Sequence, residues 1–358
     1  MKILYDHQMF SMQKYGGVTR YFCNLMQNLP QNMEYELPVV YSENHYLKEM
    51  MGLELKQISL ISSFRIKRRV YYFFNDRVSC KHIKKGEFDL FHPSYYSTYF
   101  LKSIKKPFVL TVHDMIHEKF HDLFSPYDKT TEYKKNLINK AEHVIAVSQC
   151  TKNDIVDLFD INPDKISVVH HGYESFATPV DRLFDSYILY VGDRKNYKNF
   201  NFFIKSVAPL LAQNRELKIV CTGMPFSKEE LLLFSEEKIQ NQLIQLSVND
   251  RQLASLYKYA LLFVYPSLYE GFGIPILEAF KNKCPVCLSD ASCFPEVAGE
   301  AACYFDPYDS DSILDAVSKV INDEEYADTL RNRGEMKVEE YSIKRMVDST
   351  CDIYYKCV

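Results

Sequence analysis

Two glutamates, Glu270 and Glu278, stand eight positions apart in the run YEGFGIPILEA, with Gly271, Phe272, Gly273, Ile274 and Pro275 between them. Glycines ahead of a helix start let a ligand approach the backbone, and the unpaired N–H groups of that helix end suit a phosphate. A carboxylate has no attraction for a phosphate, so each glutamate must address another part of the ligand, and hydroxyl groups are its natural partners. Upstream, Gly192 is followed by Asp193-Arg194-Lys195-Asn196-Tyr197-Lys198. A guanidinium fork and an ammonium placed after a glycine suit a pyrophosphate. Arg194 and Lys198 are the favoured pair, and Lys195 competes for either role. One ligand satisfies all of these groups: a pyrophosphate with a hydroxyl-rich sugar at each end, as in a sugar nucleotide.

In spacing and context, Glu270 and Glu278 resemble the E-x7-E signature of retaining GT-B glycosyltransferases, most closely those of glycosyltransferase family 4. The resemblance implies an α/β chain of GT-B fold, two Rossmann-like doubly wound domains facing across a cleft, with the donor held mainly by the C-terminal one. It implies that Glu270 holds hydroxyls of the donor sugar and Glu278 those of the ribose. Arg194, Lys198 and the N–H groups around Gly271, Phe272, Gly273 and Ile274 would stabilise the departing nucleoside diphosphate, with neither metal nor cofactor. His113, in His113-Asp114, would hydrogen-bond a donor-sugar hydroxyl, and Asp114 would set its orientation; His92 is a fainter candidate. The loop with Gly16 and Gly17 would touch donor phosphates and acceptor, and backbone groups of Ser247 to Asn249 would read the nucleobase edge.

The implied reaction moves a mannose-like hexose, with retention, from a GDP-sugar or UDP-sugar to a hydroxyl of a growing or lipid-linked glycan in lipopolysaccharide, O-antigen or other surface-polysaccharide synthesis. A sugar-nucleotide 2-epimerase and a non-catalytic sugar-nucleotide-binding subunit are the alternatives on the same fold.

These residues need strands to present them. Short apolar runs at residues 2–6, 37–41, 89–92, 108–112, 144–147 and 166–170 alternate with helical patterns, and so do 187–191, 217–221, 243–246, 261–267 and 285–288. Such alternation predicts parallel sheets covered on both faces, with ligands beyond the carboxyl ends of the strands. Most of the candidates lie just past such ends. Ile274 to Lys281 reads as a helix with proline in its first turn, and Ser148 as the N-cap of a helix from Gln149. Periodicity fades over 173–186, which places a hinge there. The domains are expected at 1–178 and 179–336, and the resemblance implies that a closing segment, 337–358, packs back on the first.

A chain of 358 residues with 47% hydrophobic content holds enough apolar material for two cores. Its net charge of -4 argues against a nucleic-acid binder. No secretory h-region or membrane span is visible, so a cytoplasmic protein with free, buried cysteines is expected. In residues 61–78, Arg65, Lys67, Arg68 and Arg69 precede Tyr71, Tyr72, Phe73 and Phe74. This pattern suits peripheral contact with an anionic membrane, at the inner face of the cytoplasmic membrane, or a solvated helix face over core aromatics.

Overall fold

The computed structural model describes residues 1–59, 63–174 and 178–358, which form two compact units, Met1–Gly172 with Ile343–Val358 and Tyr173–Ser342. Part of the expected hinge, 175–177, and residues 61 and 62 of the basic stretch lie outside the described residues. The chain passes to the second unit at Tyr173, whereas the second domain is expected from 179. There the Tyr173 N–H donates to the Tyr341 carbonyl at 2.8 Å, while the Tyr341 hydroxyl donates to the Val297 carbonyl at 3.1 Å. The same tie keeps residues 337–342 in the second unit: one helix ends at Val338, and the closing helix is Ile343–Cys357.

In the first unit the strands are β1 (Lys2–Tyr5), β2 (Glu34–Glu36), β3 (Leu90–His92), β4 (Val109–Val112), β5 (His143–Ala146) and β6 (Ile166–Val168). They pair in parallel in the orders β2-β1-β3 and β4-β5-β6, and a bridge between Phe91 and Phe108 joins the two sets. The second strand is earlier than expected: β2 is Glu34–Glu36, and 37–41 make no ladder. Pro38 has no N–H to give to one. Ile3, Tyr5, Leu90, Val109 and Ile145 share a core with Met346, Val347 and Tyr354 of the closing helix.

The second unit is a six-stranded parallel sheet, ordered β12-β11-β10-β7-β8-β9. Its strands are β7 (Tyr187–Tyr190), β8 (Lys218–Thr222), β9 (Leu243–Leu246), β10 (Leu262–Tyr265), β11 (Val286–Ser289) and β12 (Cys303–Phe305). From β7 the chain winds outward to β9, then returns to β10 on the other side of β7. The switch point of this doubly wound sheet therefore lies between β7 and β10, and the crevice at their carboxyl ends is where such sheets hold ligands. All ten cysteines are free, and Cys284 and Cys287 are buried where β11 begins.

Candidate active site

Lys198 comes from the loop after β7 and Glu270 from the loop after β10, so the sheet order brings them together. Their Nζ–Oε1 distance is 2.5 Å, with side chains 15% and 10% exposed. Two further bonds hold the loops: the Leu268 N–H donates to the Tyr197 carbonyl at 2.7 Å, and the Glu270 N–H to the Ser292 hydroxyl at 3.1 Å. Burial works against the Lys198 charge, but the adjacent Glu270 carboxylate outweighs it and raises the lysine above its ordinary pKa. The site therefore holds a fixed ammonium at neutral pH.

The helix beyond Glu270 is Ile274–Lys281, with Pro275 in its first turn. Gly273 caps it at φ 91°, where a side chain would be strained, and an added Cβ would lie 3.0 Å from Ile276 Cδ1 and 3.2 Å from Phe294 Cε1. Phe272 is buried, its ring 5.7 Å from that of Tyr341, so its side chain serves the core. Gly271 is buried as well, whereas Ile274 and Pro275 at the helix end are half-buried. Glu278 Oε2 accepts the buried Tyr257 hydroxyl at 3.0 Å. At the end of β9, Ser247 is exposed. Asn249 caps the next helix. Its Oδ1 accepts the Gln252 N–H at 3.0 Å and its own N–H donates to Gln252 Oε1 at 3.1 Å, a capping box that starts Asp250–Tyr259.

Arg194, the other cation of the expected pair, has partners of its own. Its Nε donates to Glu230 at 2.7 Å and its terminal nitrogens to the carbonyls of Thr222, Met224 and Pro225, at 3.4, 2.6 and 3.1 Å. The side chains of this ion pair are 5% and 9% exposed. Arg194 lines a separate cavity of about 630 Å³ with Asp193, Asn201 and Glu229, whose wall includes neither Lys198 nor Glu270. Arg194 thus ties the β7 loop to the β8 loop.

In the first unit, His113 follows β4 directly. Its side chain is buried, and neither ring nitrogen has a hydrogen-bond partner among the described residues. The ring stacks on His171 at 5.6 Å, with Tyr21 edge-on at 5.3 Å. Burial, with His92 and Lys134 adding to it, lowers its pKa to about 3. A neutral imidazole offers one donor and one acceptor, as a sugar hydroxyl requires. His92 is saturated instead by the hydroxyls of Tyr354, at 2.6 Å, and Thr111, at 2.9 Å. Asp114 does not reach the His113 ring: its Oδ1 accepts the Ile116 N–H at 3.0 Å. Gly16 precedes the helix Gly17–Gln27, and an added Cβ there would lie 1.9 Å from Gln13 Oε1.

Residues 183–337 match the description Glycosyl transferases group 1, and residues 15–175 match Glycosyltransferase Family 4. The chain belongs to glycosyltransferase family 4. It is 30% identical over 213 residues to the O-antigen chain mannosyltransferase RfbU of Salmonella typhimurium, covering 59% of this chain and 60% of that one. It is 26% identical over 261 residues to the O-antigen chain mannosyltransferase B of Escherichia coli, covering 66% and 68%. The chain thus spans less than two thirds of the length of RfbU. Among solved structures, sucrose-phosphate synthase from Thermosynechococcus elongatus superposes with a TM-score of 0.76 at 16% identity, covering 99% of this chain and 98% of that one. Anabaena Alr3699/HepE in complex with UDP and glucose gives 0.76 at 15%, covering 99% and 100%. Likeness at this identity shows the fold, which is GT-B.

For a family 4 chain, the partners that sequence reading missed are those that hold the site groups in place: Ser292 for Glu270, Tyr257 for Glu278 and Glu230 for Arg194. No local signal marks them, because each lies 21 to 36 residues from the group it holds. The basic stretch lies on the helix Phe64–Lys85. Lys67 is withdrawn from its surface, pairing with Glu43 at 2.5 Å and 14% exposed. Arg65, Ile66, Arg68, Arg69, Phe73 and Phe74 are exposed, and the Arg77 guanidinium lies 3.4 Å from the Phe73 ring centre. Among the described residues no helix is long and apolar enough to cross a membrane, and no group of His, Cys, Asp and Glu could hold a metal ion.

Proposed function

We propose that this protein transfers a mannose-like hexose, with retention and without a metal, from a nucleoside-diphosphate sugar to a hydroxyl of a growing surface glycan. The observation that carries the reading is the Lys198–Glu270 pair, at 2.5 Å, at the switch point of a parallel sheet. In the reaction the bond from C1 to the diphosphate oxygen breaks, and the acceptor oxygen bonds to C1 on the same face. The acceptor proton passes to a donor phosphate oxygen. Negative charge grows on the leaving diphosphate, so Lys198 and the amides at the start of Ile274–Lys281 are the groups that lower the barrier. Glu270, committed to Lys198, serves better as an anchor for sugar hydroxyls than as a nucleophile. Glu278 holds the ribose, and His113 offers its unpartnered ring to a donor hydroxyl.

The names of the relatives favour mannose, since RfbU and mannosyltransferase B are O-antigen mannosyltransferases; we take GDP-mannose as the first donor to test, and Alr3699/HepE, which binds UDP, keeps UDP-sugars as the second choice. The exposed cations and aromatics of Phe64–Lys85 suit work at the inner face of an anionic membrane, where a lipid-linked acceptor would be found. A thermal-shift screen with GDP, UDP, ADP and dTDP tests the donor first. A ligand at a hundred times its dissociation constant adds about 2.7 kcal/mol to apparent stability. The matching sugar nucleotide is then incubated alone and with glycan acceptors. Transfer to acceptor is expected, with slow hydrolysis when the donor is alone. An epimerised donor would replace this reading with the epimerase, and intact donor in every mixture would leave only a binding protein.

A further inference from the structure

We propose that Lys134 is a positioning residue for His113, acting through the backbone of the turn that carries it; this rests on the glycosyltransferase reading of His113. Lys134 belongs to the helix Thr130–Lys140, whose buried face is otherwise Leu137 and Ile138. On such a face an apolar side chain is the ordinary choice, and an ammonium that is 0% exposed there must be fully compensated. Its partners are all near His113. Nζ donates to the Asp114 carbonyl at 2.9 Å and to Glu118 Oε2 at 2.8 Å, and lies 4.9 Å from the centre of the Tyr96 ring. The Tyr96 hydroxyl in turn accepts the His113 N–H at 3.0 Å. The peptide group that enters His113 is therefore gripped by Tyr96, and the one that leaves Asp114 by Lys134.

The purpose of such a grip follows from the ring it holds. The His113 nitrogens bond to nothing among the described residues, so no side-chain partner fixes that imidazole. It is aimed by its backbone and by packing against His171, Tyr21 and Phe22. The charged or titratable groups facing it are Lys134 from its own helix, His92 at the end of β3, His171 beyond β6, Tyr21 and Tyr96. An ion pair whose one partner also holds the turn fixes the ring without blocking it.

Lys134→Met alone would strand the Glu118 carboxylate, whose side chain is 3% exposed, and would unfold the region for that reason. The informative variant is Lys134→Met with Glu118→Met, which replaces the pair by apolar groups of similar size and should keep the melting temperature. In it the Asp114 carbonyl has lost its donor. We expect turnover to fall about a hundredfold, as a misplaced contact group does, while the donor KM changes less than about threefold, because Lys198 and Glu278, to which the diphosphate and ribose are assigned, are untouched. Tyr96→Phe, which keeps the ring under the ammonium but frees the His113 N–H, should give the same split. The ring signals of His113 in nuclear magnetic resonance spectra at neutral pH should shift or split in both variants. This readout stands even if the protein transfers no sugar. Unchanged His113 signals in a folded double variant would overturn the proposal, as would unchanged turnover.

Discussion

Two cations four residues apart in one loop have opposite tasks, and their neighbours decide which. Arg194 spends its fork on Glu230 and three carbonyls. Removing it leaves a carboxylate 9% exposed with no counter-charge. Arg194→Ala should therefore lower stability by about 3–5 kcal/mol, the cost of a broken buried pair, read as a fall in the urea midpoint. Lys198 is tied to the rest of the unit chiefly through Glu270, whose carboxylate also accepts the Tyr265 hydroxyl. Lys198→Ala strands Glu270, 10% exposed, in the same way and should cost comparable stability, but the protein that remains folded should also lose about 10²–10³-fold in turnover, the range for one lost charge-stabilising donor. A folded, stable Arg194→Ala that has lost turnover would restore the arginine to the diphosphate. Sequence alone does not separate the two cases, because Glu230 enters only when the sheet places the β8 loop beside the β7 loop.

At the scale of elements, the fold was legible where a short apolar run led into a glycine turn or a helix cap. Ile274–Lys281 and Leu243–Leu246 stand at the residues expected, and Ser148 accepts the Thr151 N–H as an N-cap should. The second strand was misplaced because apolar content at 37–41 outweighed Pro38, whereas pairing with β1 selected the more polar Glu34–Glu36. The helix Phe64–Lys85 shows a similar limit. Contiguous aromatics gave no stripe, and folding sorted them: Tyr71 is buried, with its hydroxyl on Glu43 at 3.0 Å, while Phe73 and Phe74 face out, with the Arg77 guanidinium over Phe73. If that outer face meets an anionic bilayer, each cation near the surface contributes about 1 kcal/mol. Arg69→Ala with Arg77→Ala should then weaken co-sedimentation with phosphatidylglycerol vesicles by about 30-fold. Phe73→Ser with Phe74→Ser should weaken it at high salt as well, where charge is screened. Lys67→Ala should change it little. Equal binding by all four proteins, or none by the parent, would dismiss the membrane contact.

Across the whole molecule the titratable groups are divided unequally: all ten histidines precede residue 172, so the unit spanning Tyr173–Ser342 contains none. In the other unit, burial lowers His92 and His113 to about 3 and His171 well below its ordinary value. An unfolded imidazole titrates near 6.5. Between that pH and the folded values the unfolded chain binds more protons, so folding stability is complete above about 6.5 and declines as the pH falls. By pH 5 each of His92 and His113 costs about 2 kcal/mol at 1.36 kcal/mol per unit. Carboxylate pairs add to the loss at lower pH, since Glu43, with burial opposing and Lys14, Lys67 and Tyr71 prevailing, sits at about 2. The window from 6.5 to 5 thus belongs to the imidazoles. Because each unit has its own core, calorimetry should resolve two transitions. The one assigned to the histidine-bearing unit should move down between pH 8 and pH 5, while the other holds. Assignment follows from nucleotide, which should raise only the transition of the unit bearing Lys198 and Glu278. His113→Gln should lessen the acid shift of the first transition without touching the second. Two transitions falling together would mean that the imidazoles are not what acid removes.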